Sequence, residues 1–168
     1  MEDLDIYPNA KSRLIRVLHV DDEPTDLEIT RIFLKKVAKD SFDIVSVLSA
    51  EEALAKLETE HFDVVISDYK MPGMDGIQLL DIIRNNKNYG DIPFILFTGK
   101  GGDSVAADAF RKGGDKYITK SGDPASQCNE LAQTIHELLS WEPSGNTRWK
   151  NGRRPLGEAF KDSQRHLG

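Results

Sequence analysis

Five short apolar runs, spaced by segments of helical periodicity, occupy residues 13–141. The runs are RLIRVLHV (13–20), FDIVSVLS (42–49), FDVVIS (62–67), IPFILF (92–97) and KYIT (116–119). Between the first two, PTDLEITRIFLKKVAK (24–39) places Leu27, Phe33, Leu34 and Val37 on or near one helical face. AEEALAKLETE (50–60) consists largely of strong helix formers. A turn-rich loop, DYKMPGMDG (68–76), precedes the helical IQLLDIIRNN (77–86), and residues 103–112 and 123–141 complete five helices. Strict strand–helix alternation implies βαβ units and a parallel sheet. Strands with continuous apolar centres suit a sheet covered on both faces. Pro93 stands near the start of its run, where a missing N–H is tolerated. The expected fold is α/β, a doubly wound five-stranded parallel sheet with helices on both faces.

A chain of 168 residues that is 39% apolar and 30% charged can bury a full core without staples. Residues 1–12 form a polar leader, 13–141 one domain and 142–168 a polar, basic tail with scope for a short helix. From Trp141 onward six lysines and arginines face three acidic residues, a charge of +3. The whole chain carries −6, so the first 140 residues carry −9, which argues against a nucleic-acid binder. The tail's Arg148, Lys150, Arg153 and Arg154 beside Trp149 read as a solvated or docking segment rather than a specific nucleic-acid site. Cys128 is the single cysteine, which excludes an internal disulfide and fits a reducing compartment. No apolar run reaches the roughly 20 residues of a membrane span, and the acidic N-terminus lacks the apolar stretch of a signal peptide. These features predict a cytoplasmic protein.

Polar groups cluster at strand ends: Asp21, Asp22 and Glu23 after the first, Asp68 after the third, Thr98 after the fourth, Lys120 after the fifth. Ligands of open α/β sheets bind outside those carboxyl ends. Each residue alone has an ordinary reading. The acids before Pro24 suit a helix start, Asp68 a turn, Thr98 a strand end, and Lys120 solvent. His19 reads as a core residue. Gly99, Gly101 and Gly102 flank Lys100 without forming a P-loop. Together, however, two carboxylates about 5 Å apart repel by roughly 3 kcal/mol at an effective dielectric near 20. Three in one crevice therefore call for a cation, and Mg²⁺ suits carboxylates combined with water and phosphate oxygens. Asp68 would then be ionised and placed to take a phosphoryl group, with Thr98 and Lys120 to bind its other oxygens.

The motifs VLHVDDEP (17–24), VVISDYKMPGMDG (64–76), ILFTGKG (95–101) and DKYITK (115–120) resemble the receiver (CheY-like) domains of two-component response regulators over roughly residues 13–141. The resemblance implies a flavodoxin-like strand order of 2-1-3-4-5, with the ligand crevice between strands one and three. It implies Asp68 as phosphoacceptor, and Mg²⁺ held by Asp22, Asp68 and the backbone carbonyl of Lys70, with Asp21 acting through a metal-bound water. It makes Thr98 the switch hydroxyl, Tyr117 the switch aromatic and Lys120 the cation that pairs with the phosphoryl group. Lys70 and Lys100 fall two positions after the acceptor and the switch hydroxyl, where family members tune acyl-phosphate lifetime. Ser121-Gly122-Asp123-Pro124 follows Lys120, where the family commonly has proline directly. The wording of 95–124 is similar to a subgroup common in archaeal sensory systems.

The expected function is a phosphorylation-dependent signalling switch fed by a sensor histidine kinase, acting on a downstream protein through a changed surface and not on a membrane. It is not an enzyme beyond its own phosphorylation and dephosphorylation. Two alternatives stand beside it: a Mg²⁺-dependent phosphohydrolase of the haloacid dehalogenase type, whose motif order differs, and a pseudo-receiver interaction module.

Overall fold

The computed structural model describes residues 14–39 and 41–140; the leader, the tail and Trp141 lie outside the described residues. Ten elements alternate: β1 (Ile15–Val20), α1 (Pro24–Ala38), β2 (Phe42–Val47), α2 (Ala50–Thr59), β3 (Val64–Ser67), α3 (Gly76–Arg84), β4 (Phe94–Thr98), α4 (Asp103–Arg111), β5 (Lys116–Thr119) and α5 (Pro124–Ser140). The sheet order is β2-β1-β3-β4-β5 and all four pairings are parallel. This is the expected doubly wound fold, and every strand runs toward the same polar edge.

Two cores flank the sheet. Leu18 and Val20 of β1 pack with Ala53 and Leu57 of α2 and Leu79, Leu80 and Ile83 of α3. Val17 and Ile66 pack on the opposite face with Leu34 of α1 and Cys128, Leu131 and Ile135 of α5. The alternation of Val17 and Leu18 follows from the two-residue pleat of a strand. Helix starts are fixed locally. Pro24 opens α1 at a first-turn position that needs no N–H. Ser49 caps α2 by accepting from Glu52 N at 3.1 Å, while Glu52 reaches back to Leu48 N at 2.9 Å. Asp75 and Gln78 form a capping box at α3.

Four strand limits differ from the sequence-based expectation. β1 pairs from Ile15 rather than residue 13. β2 stops at Val47, because the Leu48 N–H is taken by Glu52. β3 starts at Val64, since Phe62, although only 4% exposed, fills the core before the ladder begins. β4 runs from Phe94 to Thr98 rather than 92–97. Pro93 lends the ladder only its carbonyl, accepting from Val65 N at 2.9 Å, and Thr98 lies inside the strand, paired with Thr119. The helix limits differ by at most two residues. Among the described residues no helix is long and apolar enough to cross a membrane.

Candidate functional site

The C-terminal edge of the sheet gathers the polar residues that the sequence scatters over a hundred positions. β1 delivers Asp21 and Asp22, and neighbouring β3 delivers Asp68. Carboxylate oxygens of the three lie within 4.8 Å of one another. Parallel pairing of Val20 with Ser67 sets this juxtaposition, and Asp68 N donates to Val20 O at 2.9 Å.

The three carboxylates are not equivalent. Asp21 is fully buried. Its Oδ1 accepts from Glu23 N at 3.0 Å and its Oδ2 from Lys120 Nζ at 2.6 Å. Burial pushes its pKa up to about 6, against the pull of Lys120 and of the Glu23 amide, and the charge of Asp68 adds to the rise. Asp22 and Asp68 are partly exposed. Asp68 Oδ1 accepts from Tyr69 N at 2.8 Å. Burial alone would lower the pKa of Lys120, but Asp21, Asp68 and Asp26 hold it above the usual lysine value.

Lys120 rests on Asp21 and, at 3.3 Å, on Asp26 of α1; among the described residues no ion pair joins it to Asp68. Thr98 is fully buried, with its hydroxyl engaged by the next loop: it donates to Lys100 O at 3.1 Å and accepts from Lys100 N at 3.0 Å. At the C-terminal edge of the sheet the Thr98 hydroxyl is thus engaged by the Lys100 backbone, and Lys120 by Asp21 of the acidic cluster and by Asp26. Lys70 and Lys100 are exposed. The Lys70 ammonium lies 5.8 Å from the Tyr69 ring centroid, a cation–π position. His19 is buried as expected. Neither of its ring nitrogens has a hydrogen-bond partner among the described residues, and burial, then Lys120, lowers its pKa to about 3.

The roles of three residues escaped sequence reading. Asp26 reads as an ordinary acid in a first helical turn. Gly76 lets the loop after Asp68 fold back, donating to Tyr69 O at 2.8 Å, and a Cβ there would collide with the Asp68 carbonyl. Gly101 seats Tyr117: a Cβ would collide with the tyrosine hydroxyl. The signal for both glycines was their place in the turn-rich runs, but not which atoms approach them.

The donor set is chemically consistent. Three hard carboxylate oxygens against one lysine leave a negative crevice, the environment a hard divalent cation takes. Asp22 and Asp68 are open enough to share such an ion with water.

A family model described as "Response regulator receiver domain" matches residues 17–132, more than half the chain. The response regulator protein FleR of Pseudomonas aeruginosa is 46% identical over 117 residues, 69% of this chain and 24% of its own length. The sensor protein GacS of Pseudomonas syringae is 33% identical over 140 residues, 82% of this chain and 14% of its own. The chain thus spans a quarter or less of these two relatives. A crystal structure of a CheY-like receiver domain protein from Methanospirillum hungatei superimposes with a TM-score of 0.64 at 28% identity, covering 74% of this chain and 96% of that one.

Proposed function

The chain belongs to the response regulator receiver domain family, modules phosphorylated on an aspartate in two-component signalling, and from that premise we propose that Asp68 is the phosphoryl acceptor. Such a domain is a signalling module rather than an enzyme in its own right, which sets aside the phosphohydrolase alternative. The observation that supports the acceptor reading most is the convergence of Asp21, Asp22 and Asp68 within 4.8 Å beside Lys120. Of the three carboxylates, Asp21 is buried and bound to Lys120. Asp68 follows the last residue of β3 and is partly exposed.

In this reading Asp22, Asp68 and the Lys70 carbonyl would hold Mg²⁺, with Asp21 contributing through water. When bound, the ion screens carboxylates from one another and from the incoming phosphoryl oxygens. A carboxylate oxygen of Asp68 forms a bond to phosphorus, and the P–N bond of a kinase phosphohistidine breaks with its electron pair passing to the imidazole. The dianionic product offers Thr98 a charge-assisted hydrogen bond stronger than its present one to Lys100. Thr98 moves inward, Tyr117 follows into the vacated space, and the surface of α4, β5 and α5 changes for a downstream protein. Residues 13–141 carry this function, and the leader 1–12 and tail 142–168 flank it. The partner kinase and the single buried cysteine fit a cytoplasmic setting, and the tail adds no specific nucleic-acid binding.

The test is labelling by a small phosphodonor with Mg²⁺. Wild type should be labelled, whereas Asp68→Asn or chelated protein should not. Full labelling of Asp68→Asn removes the assignment.

A further inference from the structure

We propose that Asp26 is a positioning residue that holds Lys120 in its resting place and so slows formation of the phosphorylated state. The inference rests on the reading of Asp68 as acceptor and adds a residue to it.

Lys120 reaches the crevice from the end of β5 and is met by two carboxylates of different standing. Asp21 Oδ2 lies 2.6 Å from its Nζ and is wholly buried at the end of β1. Asp26 Oδ2 lies 3.3 Å away on the first turn of α1, and its side chain is 43% exposed. The ring centroid of Phe97 lies 5.4 Å from the same ammonium, a cation–π position. An ammonium has three N–H donors and no rigid fork, so it can exchange partners by small rotations. Two donors point at these carboxylates.

A phosphoryl group on Asp68 must draw this ammonium toward itself. Asp21 lies within the acidic cluster and can remain a partner throughout. Asp26 is not part of that cluster, and its attraction counts mainly in the resting arrangement. A group shifts an equilibrium only by its differential interaction with the two states. Asp26 therefore weights the resting state through its ion pair with Lys120. The ordinary alternative is that Asp26 supports the positive end of α1. That role needs a negative charge in the first turn but has no dependence on Lys120, and this separates the two.

The experiment uses the full chain, acetyl phosphate and Mg²⁺, and times labelling in wild type, Asp26→Asn, Asp26→Glu, Lys120→Met and the Asp26→Asn/Lys120→Met double variant. Asp26→Asn should be labelled about two- to fivefold faster, the range of a partly exposed ion pair. Asp26→Glu should return toward the wild-type rate. In the Lys120→Met background, Asp26→Asn should change the rate by less than twofold. No acceleration in Asp26→Asn, or equal acceleration with and without Lys120, overturns the proposal. Absence of labelling in the wild-type chain itself would instead remove the acceptor reading, and the inference with it.

Discussion

Among the described residues, two largely buried aspartate–cation pairs stand at opposite edges of one sheet, and they behave as opposites. At the N-terminal edge Arg84 Nη2 meets Asp115 Oδ2 at 3.1 Å, with side-chain exposures of 15% and 1%. The same guanidinium donates to Gly113 O at 3.0 Å, Gly90 O at 2.9 Å and Ile92 O at 2.7 Å, and Asp115 also accepts from Phe94 N at 2.8 Å. A rigid fork locks the end of α3 and its following loop to the start of β5. At the C-terminal edge Lys120 meets Asp21 at almost the same exposures, 16% and 0%. Here a flexible point charge faces several carboxylates and leaves an excess of negative charge. Burial alone therefore does not distinguish a clamp from a working site. What distinguishes them is whether charges balance and whether the donor geometry is fixed.

Cutting the clamp should give the largest effect. Arg84→Met leaves Asp115 without its buried cation and should cost about 3–5 kcal/mol in urea unfolding, while the folded fraction still accepts phosphate. A cost near zero would mean that the edge is not clamped.

The site end should instead show itself through pH. His19, two residues before Asp21, is held neutral, with a pKa lowered to about 3 against an ordinary 6.5. Below pH 6.5 the unfolded chain binds a proton that the native one refuses, so stability present above that value is lost as pH falls toward 3. The loss between pH 6.5 and 5 should be about 1.6 kcal/mol. Comparing chelated wild type with His19→Val by denaturant titration isolates it, because Asp21 titrates in both. Equal slopes in the two proteins would show that His19 does not carry this penalty.

A smaller effect comes from neutralising the excess charge. Mg²⁺ at ten times its dissociation constant should stabilise the fold by about 1.4 kcal/mol, visible as a higher melting temperature. Asp22→Ala should lose that gain and Arg84→Lys should keep it. Equal gains in wild type and Asp22→Ala would place the ion elsewhere.

The smallest effect is kinetic. Lys70 and Lys100 are exposed cations, so salt and solvent weaken their hold on a phosphoryl group. A Lys70→Asn/Lys100→Glu double variant should lose phosphate several-fold faster in Mg²⁺ buffer. Equal or slower decay would remove the shielding role.

The two edges also differ in how far the sequence announced them. The strand–helix alternation is visible because each apolar run must be covered on both faces. Asp21, Asp22, Asp68, Thr98 and Lys120 stand out because polar residues closing apolar runs violate the local pattern. Strand limits were less visible where hydrophobicity reports burial rather than pairing, as at Phe62, or where one carbonyl alone joins the ladder, as at Pro93. The Arg84–Asp115 clamp was not legible, since an arginine ending a helix and an aspartate in a turn are each ordinary until the fold brings together two positions 31 apart in the chain. Asp26 was hidden for the same reason: its partner lies 94 positions away.

The contrast between a loaded site and a fixed clamp is tested most directly by following both pairs in one sample. Amide and side-chain ¹⁵N resonances should be recorded before and after phosphorylation with Mg²⁺. Resonances of Asp68, Thr98, Tyr117 and Lys120 should shift strongly, while Arg84 Nε and the Asp115 amide stay in place. Shifts at Arg84 and Asp115 as large as those at Thr98 and Lys120, or an unmoved Lys120, would contradict the account.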